Sequence, residues 1–211
     1  MKVLLVNGSP RQHGCTDTAL SEVAAQLTKN GVEAEIFWLG NRAINGCLGC
    51  GACFRSGSGR CAVPGEDTEL VNTLIAKMEE ADGIIIGGPV HFAGPAGNLH
   101  SALDRAFYAS KNFAGKPGAA VLSCRRSGGT ASFDVLNKYF TISGMPIVSS
   151  QYWNVVHCNT TEEFRQDGEG MQIMRTMANN MAWLLGCIEA GRAAGLHYPE
   201  REARIGTNFI R

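Results

Sequence analysis

Four of the eight cysteines fall within fifteen residues, Cys47, Cys50, Cys53 and Cys61, in the pattern C-x-x-C-x-x-C-x7-C. Three thiols at successive two-residue gaps can curl around one centre, and Gly46, Gly49 and Gly51 leave room there and bring backbone N–H groups near sulfur. Iron–sulfur cubanes take four thiolates from runs of this kind. Tetrahedral zinc also takes four thiolates, usually from two separated C-x-x-C hooks. Reduced thiols without any metal are the third reading. The spacing favours a 4Fe–4S cluster, with zinc and free thiols left open.

A second set of chemical groups sits in three glycine-bearing loops. The first, Asn7 to Asp17, follows an apolar run and carries Ser9, Arg11, Thr16 and, just beyond, Thr18. Free N–H groups and the dipole at a helix start favour an anion there. The loop lacks the lysine of G-x-x-x-x-G-K-[ST] and is not G-x-G-x-x-G, so a single terminal phosphate suits it better than a nucleotide chain. An ordinary strand-to-helix turn capped by Thr16 or Asp17 is the alternative. The second loop, Gly88 to Gly97, is held by Pro89 and Pro95 and displays Val90, His91 and Phe92, a surface fit to lie along a planar ring. The third, Cys124-Arg125-Arg126-Ser127-Gly128-Gly129-Thr130, empties from another apolar run. Arg125 and Arg126 are candidates to balance negative charge on a reduced ring, or are solvated loop residues.

These loops need elements to hold them. Residues 2–6, 32–39, 83–87, 117–123 and 146–156 read as five strands, the first and third being continuous apolar runs (Val3–Val6 and Gly83–Gly87) and so buried on both faces. Helical spacing recurs between them: Ala19, Leu20, Val23, Ala24 and Leu27; Leu70, Leu74, Ile75 and Met78 after a cap at Asp67 or Thr68; and runs over about 97–110, 130–144 and 169–194. Asp104-Arg105 is expected to form a local ion pair on one of these helices. The methionines of the last helix, Met174, Met177 and Met181, read as core or a dimer seam. Strands alternating with helices predict an α/β doubly wound five-stranded parallel sheet of order 2-1-3-4-5, with the cysteine-rich loop inserted over 40–66. One domain over 1–195 and a C-terminal tail over 196–211 are expected. Ligands bind such sheets at the carboxyl ends beside the switch between strands one and three. Phosphate in the first loop with a flat ring between the second and third describes FMN.

The totals narrow the classes. A chain of 211 residues with 45 % hydrophobic residues builds one core. Lys+Arg and Asp+Glu are both 19, so nothing suggests nucleic acid or an anionic membrane. The opening apolar run is too short for a signal peptide and no later run spans a membrane. A cytoplasmic protein with reduced cysteines is expected. No nucleophile-elbow pattern points to hydrolysis. Cys158 and Cys187 read as buried or incidental thiols.

In Gly8-Ser9-Pro10-Arg11, Gly14 to Thr16, Gly88-Pro89-Val90-His91-Phe92, Asp104-Arg105, Arg126 to Thr130 and the compact cysteine motif, the chain resembles the flavodoxin-like NAD(P)H-dependent FMN reductases, and among them the iron–sulfur flavoproteins. The likeness covers about residues 1–158, and the tail from Pro199-Glu200-Arg201 to Asn208-Phe209-Ile210-Arg211 is similar to family members too. The resemblance implies FMN phosphate on Ser9, Arg11, Cys15 and Thr16, and a ring against Pro89–Phe92 and Arg126–Thr130. The full candidate flavin set is Ser9, Arg11, Gly14, Cys15, Thr16, Asp17 and Thr18; Pro89, Val90, His91 and Phe92; and Cys124, Arg125, Arg126, Gly128, Gly129 and Thr130. The implied cluster ligands are Cys47, Cys50, Cys53 and Cys61. Homodimers or homotetramers are implied, with the cluster of one subunit near the flavin of another. Three positions depart from the family pattern: Cys15 stands where Asn is common, His91 where Tyr is common, and Cys158 where Gly is common. The expected activity is electron transfer from NAD(P)H or a ferredoxin to a small acceptor through FMN and the cluster. A cluster-free NAD(P)H-dependent FMN or quinone reductase and a non-catalytic electron carrier or redox sensor are its rivals.

Overall fold

The structure is a computed structural model and describes residues 1–203 and 205–207. Its elements run β1 (Lys2–Asn7), α1 (Cys15–Lys29), β2 (Glu33–Trp38), α2 (Ala52–Ser56), α3 (Thr68–Glu80), β3 (Gly83–His91), β4 (Gly94–Pro95), α4 (Gly97–Ala109), β5 (Gly118–Cys124), α5 (Gly129–Ser143), β6 (Val155–His157), α6 (Thr161–Phe164) and α7 (Gly168–Ala193). The sheet is ordered β2-β1-β3-β5-β6, with parallel pairing throughout. The two-residue β4 folds back antiparallel on the end of β3. With that hairpin set aside, the order is the expected 2-1-3-4-5.

Side-chain alternation explains the two helical layers. On β1, Val3 and Leu5 join the core beneath α1 and α7, whereas Leu4 and Val6 join the one beneath α3, α4 and α5. The same division separates Ile85 from Ile84 and Ile86, and Ala119 and Val121 from Ala120 and Leu122. Strands apolar at every position are the consequence of a sheet covered on both faces. Met174, Met177 and Met181 are fully buried against this sheet, which assigns that stripe to the core. Among the described residues no helix is long and apolar enough to cross a membrane.

Several expectations need correction. The fifth strand is confined to Val155–His157; of the stretch 146–154, Ile147 makes one isolated bridge to Gly118. Pro146 has no N–H to give a ladder. Strand β3 runs on through Pro89 and Val90 to His91, because β4 pairs with its end. The cysteine-rich insertion contains a helical turn, α2. Asn208 to Arg211, part of the tail likeness, lie outside the described residues.

Arg105 overturns the expected pair with Asp104. Its side chain is fully buried, and it is salt-bridged to Asp67 across the α3–α4 interface. It also donates to the Cys61 sulfur at 3.2 Å, the Asn45 carbonyl at 3.2 Å and the Thr68 hydroxyl at 2.9 Å. Asp104 instead accepts from the Tyr139 hydroxyl. Asp67 does occupy the N-cap position of α3, yet its carboxylate makes no cap bond. It accepts from the Asn45 backbone N–H at 2.9 Å and from Arg105. Burial pushes the Asp67 carboxyl up, but these donors outweigh it and hold the group below the ordinary range. Stability from this pair is therefore present above about pH 4 and is lost as pH falls through the lower folded value. Removing one partner of a buried pair strands the other charge, so Asp67→Ala should cost about 3 kcal/mol at pH 7. In urea titrations the gap from wild type should narrow steadily below about pH 4; a gap independent of pH would contradict the pairing.

Candidate functional site

The first loop is organised by Asn7, the last residue of β1, whose side chain is fully buried. Its Nδ2 donates to the Gln12 carbonyl at 3.3 Å and to Asp17 Oδ1 at 3.1 Å, and its Oδ1 accepts from the Ser9 N–H at 3.0 Å. Ser9 Oγ in turn accepts from the Arg11 N–H at 3.1 Å, and the Ser9 carbonyl accepts from the Trp38 indole at 2.7 Å. The loop is thus held from inside by β1 and from the side by β2. Neither Thr16 nor Asp17 caps α1: the N-cap is Gly14, with no side-chain bond to the first turn. The free N–H groups of that turn remain available to a ligand.

Ser9, Arg11, Gly14, Cys15 and Thr16 share one cavity of about 200 Å³ with Pro89, Val90 and His91 from the end of β3, and with Ser123, Cys124 and Arg125 from the end of β5. Cys158 and Asn159, after β6, complete the wall. The close approach depends on Gly8 and Gly88, where an added Cβ would meet Leu99 of α4 at 2.7 and 2.6 Å. Thr16 Oγ1 and Ser123 Oγ lie 2.8 Å apart, both buried, and this bond ties the start of α1 to β5.

The remaining candidates are distributed differently. Arg126, Gly128, Gly129 and Thr130 line a second cavity, of about 300 Å³, together with Tyr152, Trp153, His157 and Asp167. Asp17 turns to Asn7 and to His13, and Thr18 Oγ1 donates to the Gly14 carbonyl at 3.2 Å. Phe92 lies in neither wall. It is fully exposed at the β3–β4 turn and is the one described non-glycine residue with positive φ, at 57°. A bulky side chain held there costs on the order of 1–2 kcal/mol. Ser123 read only as part of a strand, and Cys158 and Asn159 went unassigned to the site because the short β6 brings them in from a stretch with little periodicity.

Of the loop cysteines, Cys47 and Cys50 are exposed, Cys53 is half-buried in α2 and Cys61 is buried. Gly49 and Gly51 both adopt positive φ, at 61° and 67°, which turns the chain sharply between these thiols. Asn72 clamps Cys61 by accepting from its N–H at 2.8 Å and donating to its carbonyl at 3.0 Å. Among the described residues no three His, Cys, Asp or Glu side chains gather as a metal site. Asn72 and Arg105 hold Cys61 inward, while Cys47 and Cys50 stay at the surface. The four thiols have the donor chemistry of a cluster, without its convergence.

A doubly wound sheet with an anion-ready first loop and a cavity at the carboxyl ends of β1, β3 and β5 has the architecture of the flavodoxin-like class. Residues 1–160 match the family described as NADPH-dependent FMN reductase, and the chain belongs to that family. By class it is an FMN-dependent oxidoreductase. It is 28% identical over 200 residues to an iron-sulfur flavoprotein of Methanocaldococcus jannaschii, covering 90% of this chain and 100% of that one. To an iron-sulfur flavoprotein of Methanosarcina thermophila it is 27% identical over 198 residues, 91% of this chain and 99% of that one. In fold it resembles the flavodoxin, WrbA-like protein from Agrobacterium tumefaciens, with a TM-score of 0.59 at 15% identity over 88% of this chain and 98% of that one.

The buried Thr16–Ser123 bond gives a test of how the site is held. Thr16→Val leaves the Ser123 hydroxyl buried and unpaired and should cost about 1–3 kcal/mol in chemical denaturation. The double variant Thr16→Val/Ser123→Ala should recover a good part of that loss. Additive losses would show that the two hydroxyls do not depend on each other.

Proposed function

We propose that the chain holds FMN with its phosphate in the first loop and passes electrons from NAD(P)H or a reduced ferredoxin to a small electron acceptor. The observation that carries this reading is the shared cavity, in which loops from three neighbouring strands meet. Ser9, Arg11 and the uncapped start of α1 supply the donors and positive charge that a phosphate monoester needs. Pro89 and Val90 offer apolar surface for the ring, with His91 beside it. Arg125, from the third loop, brings a cation to the same wall. Arg126 to Thr130 line the adjoining cavity, where a nicotinamide or an acceptor has room beside the ring. Phe92, held out at the rim at a cost in backbone strain, is positioned to cover a bound ring; strain of this kind clusters at ligand clamps. Bound FMN supplies both two-electron and one-electron chemistry, and the protein positions and tunes it.

In this proposal Cys47, Cys50, Cys53 and Cys61 carry a 4Fe–4S cluster. The spacing of the thiols supports it, as do the names of the two archaeal relatives. A second reading, a cluster-free FMN or quinone reductase, is favoured by the side chains themselves, which do not converge. The proposal extends to a cytoplasmic homodimer or homotetramer. Exposed Trp183 on α7 and Ile142 on α5, 70% and 83% accessible, are apolar surface that such an assembly would cover.

An anaerobic absorption spectrum of fresh protein, with iron and sulfide measured on the same sample, separates the readings. Flavin bands with a broad shoulder near ~400 nm and about four irons per chain are expected. Flavin bands without iron would leave the cluster-free reductase. Arg11→Ala should weaken FMN binding about tenfold or more, by loss of a charge-assisted phosphate contact, read by quenching of flavin fluorescence. Unchanged affinity would remove Arg11 from the phosphate site.

A further inference from the structure

Cys15, the first residue of α1, and Cys158, just after β6, are far apart in sequence and line the same cavity. The end of β6 is drawn beside β5 by the register of Cys124 with His157 and by a bond of 3.1 Å from the Cys158 N–H to the Cys124 carbonyl. The Thr16–Ser123 bond brings the first turn of α1 over the same strand end. Cys15, Cys124 and Cys158 consequently line one cavity, the one that holds the candidate phosphate loop.

The three thiols differ in their surroundings. Cys124 is buried, with its sulfur packed against Gly129 of its own loop. Cys158 is buried, at 7% exposure, and stands with Cys15 in the wall of that cavity. Burial, and then the neighbouring Cys15 thiol, push the Cys158 thiol up, so that it rests as a protonated thiol at neutral pH. Cys15 is half-buried as the first residue of α1, and packs against the core to which Cys158 belongs. Both residues are part of the wall that a small molecule entering the cavity would meet.

We propose that Cys15 and Cys158 form a redox-active dithiol, which a peroxide oxidises to a disulfide when the cavity is open and which FMN phosphate shields when it fills the cavity. The Cys15 sulfur attacks one peroxide oxygen, the O–O bond breaks, and Cys15 becomes a sulfenic acid as one water is released. The Cys158 sulfur then displaces the hydroxyl from Cys15, forming the S–S bond and releasing a second water. The two thiols together lose two electrons and two protons, and the peroxide is reduced to two waters. The pair is separate from the cysteine-rich loop, and its oxidation needs neither a cluster nor an electron donor. Only the shielding rests on the flavin reading given above. The disulfide would tether the first turn of α1 to the segment after β6, beneath the phosphate loop. By linkage, whatever binds the dithiol form more tightly draws the pair back to it.

The test uses the full chain stripped of flavin and exposed to hydrogen peroxide, then alkylated and mapped by mass spectrometry. A linked peptide joining Cys15 to Cys158, two hydrogens lighter than the dithiol, is expected. With saturating FMN its formation should slow at least tenfold. In Cys158→Ala, Cys15 should stop at the sulfenic acid and be trapped by a dimedone-type reagent. Recovery of both cysteines as free thiols, or linkage of either to a different cysteine, would overturn the pair. FMN affinity is measured separately on the reduced protein: if FMN binds there and the linkage forms at an unchanged rate, the shielding is overturned. If FMN does not bind the reduced protein, the flavin reading and the shielding with it fail, while the peptide map still decides whether the dithiol exists.

Discussion

Because β1 has parallel partners along both edges and helices over both faces, it meets open space only at its ends, and its carboxyl end opens into the candidate site. The candidate phosphate and ring site is arranged around that end. The chain leaving β1 crosses to one face as α1, whereas the chain leaving β3 crosses to the other as α4, so the two loops diverge and leave a cleft between them. Asn7 marks the point of divergence and fastens the first loop from within. Gly8 and Gly88 allow Leu99 to reach that point, so the packing of α4 and the shape of the cavity are one problem with one solution.

The cysteine-rich insertion faces a different constraint. A long segment without a core of its own needs an anchor, and Arg105 provides one from α4. A fully buried guanidinium demands hydrogen-bond acceptors and a counter-charge. Asn45 and Cys61 come from the insertion, and Asp67 and Thr68 from the start of α3. The insertion is therefore fixed near its two ends, while the stretch that bears Cys47 and Cys50 stays at the surface.

Much of this was legible in the sequence, for identifiable reasons. Apolar runs such as Val3–Val6 and Ile84–Ile86 have few alternatives to a strand covered on both faces, and the glycine loops between them mark the strand ends. The helix at Gly168–Ala193 was evident because its methionines repeat with helical spacing. What failed depended on partners distant in sequence. Arg105 read as the neighbour of Asp104 because local spacing cannot reveal Asp67, 38 residues away. The stretch 146–154 looked like a strand from its β-branched residues, yet most of it makes no ladder. Asp17 looked like a cap until Asn7 claimed it. Cys158 looked incidental because nothing nearby in the sequence marks the cavity wall that it shares with Cys15.

The central claim is that the cavity at the carboxyl ends of β1, β3 and β5 is a flavin site whose first loop takes the phosphate. The most direct measurement compares FMN with riboflavin, which has the same ring and no phosphate, by fluorescence titration of the reduced, flavin-free protein. The account predicts that FMN binds at least about 100-fold more tightly, since charge-assisted contacts to the phosphate are worth about 1.5–3 kcal/mol each. Equal affinities, or binding of neither flavin, would contradict it.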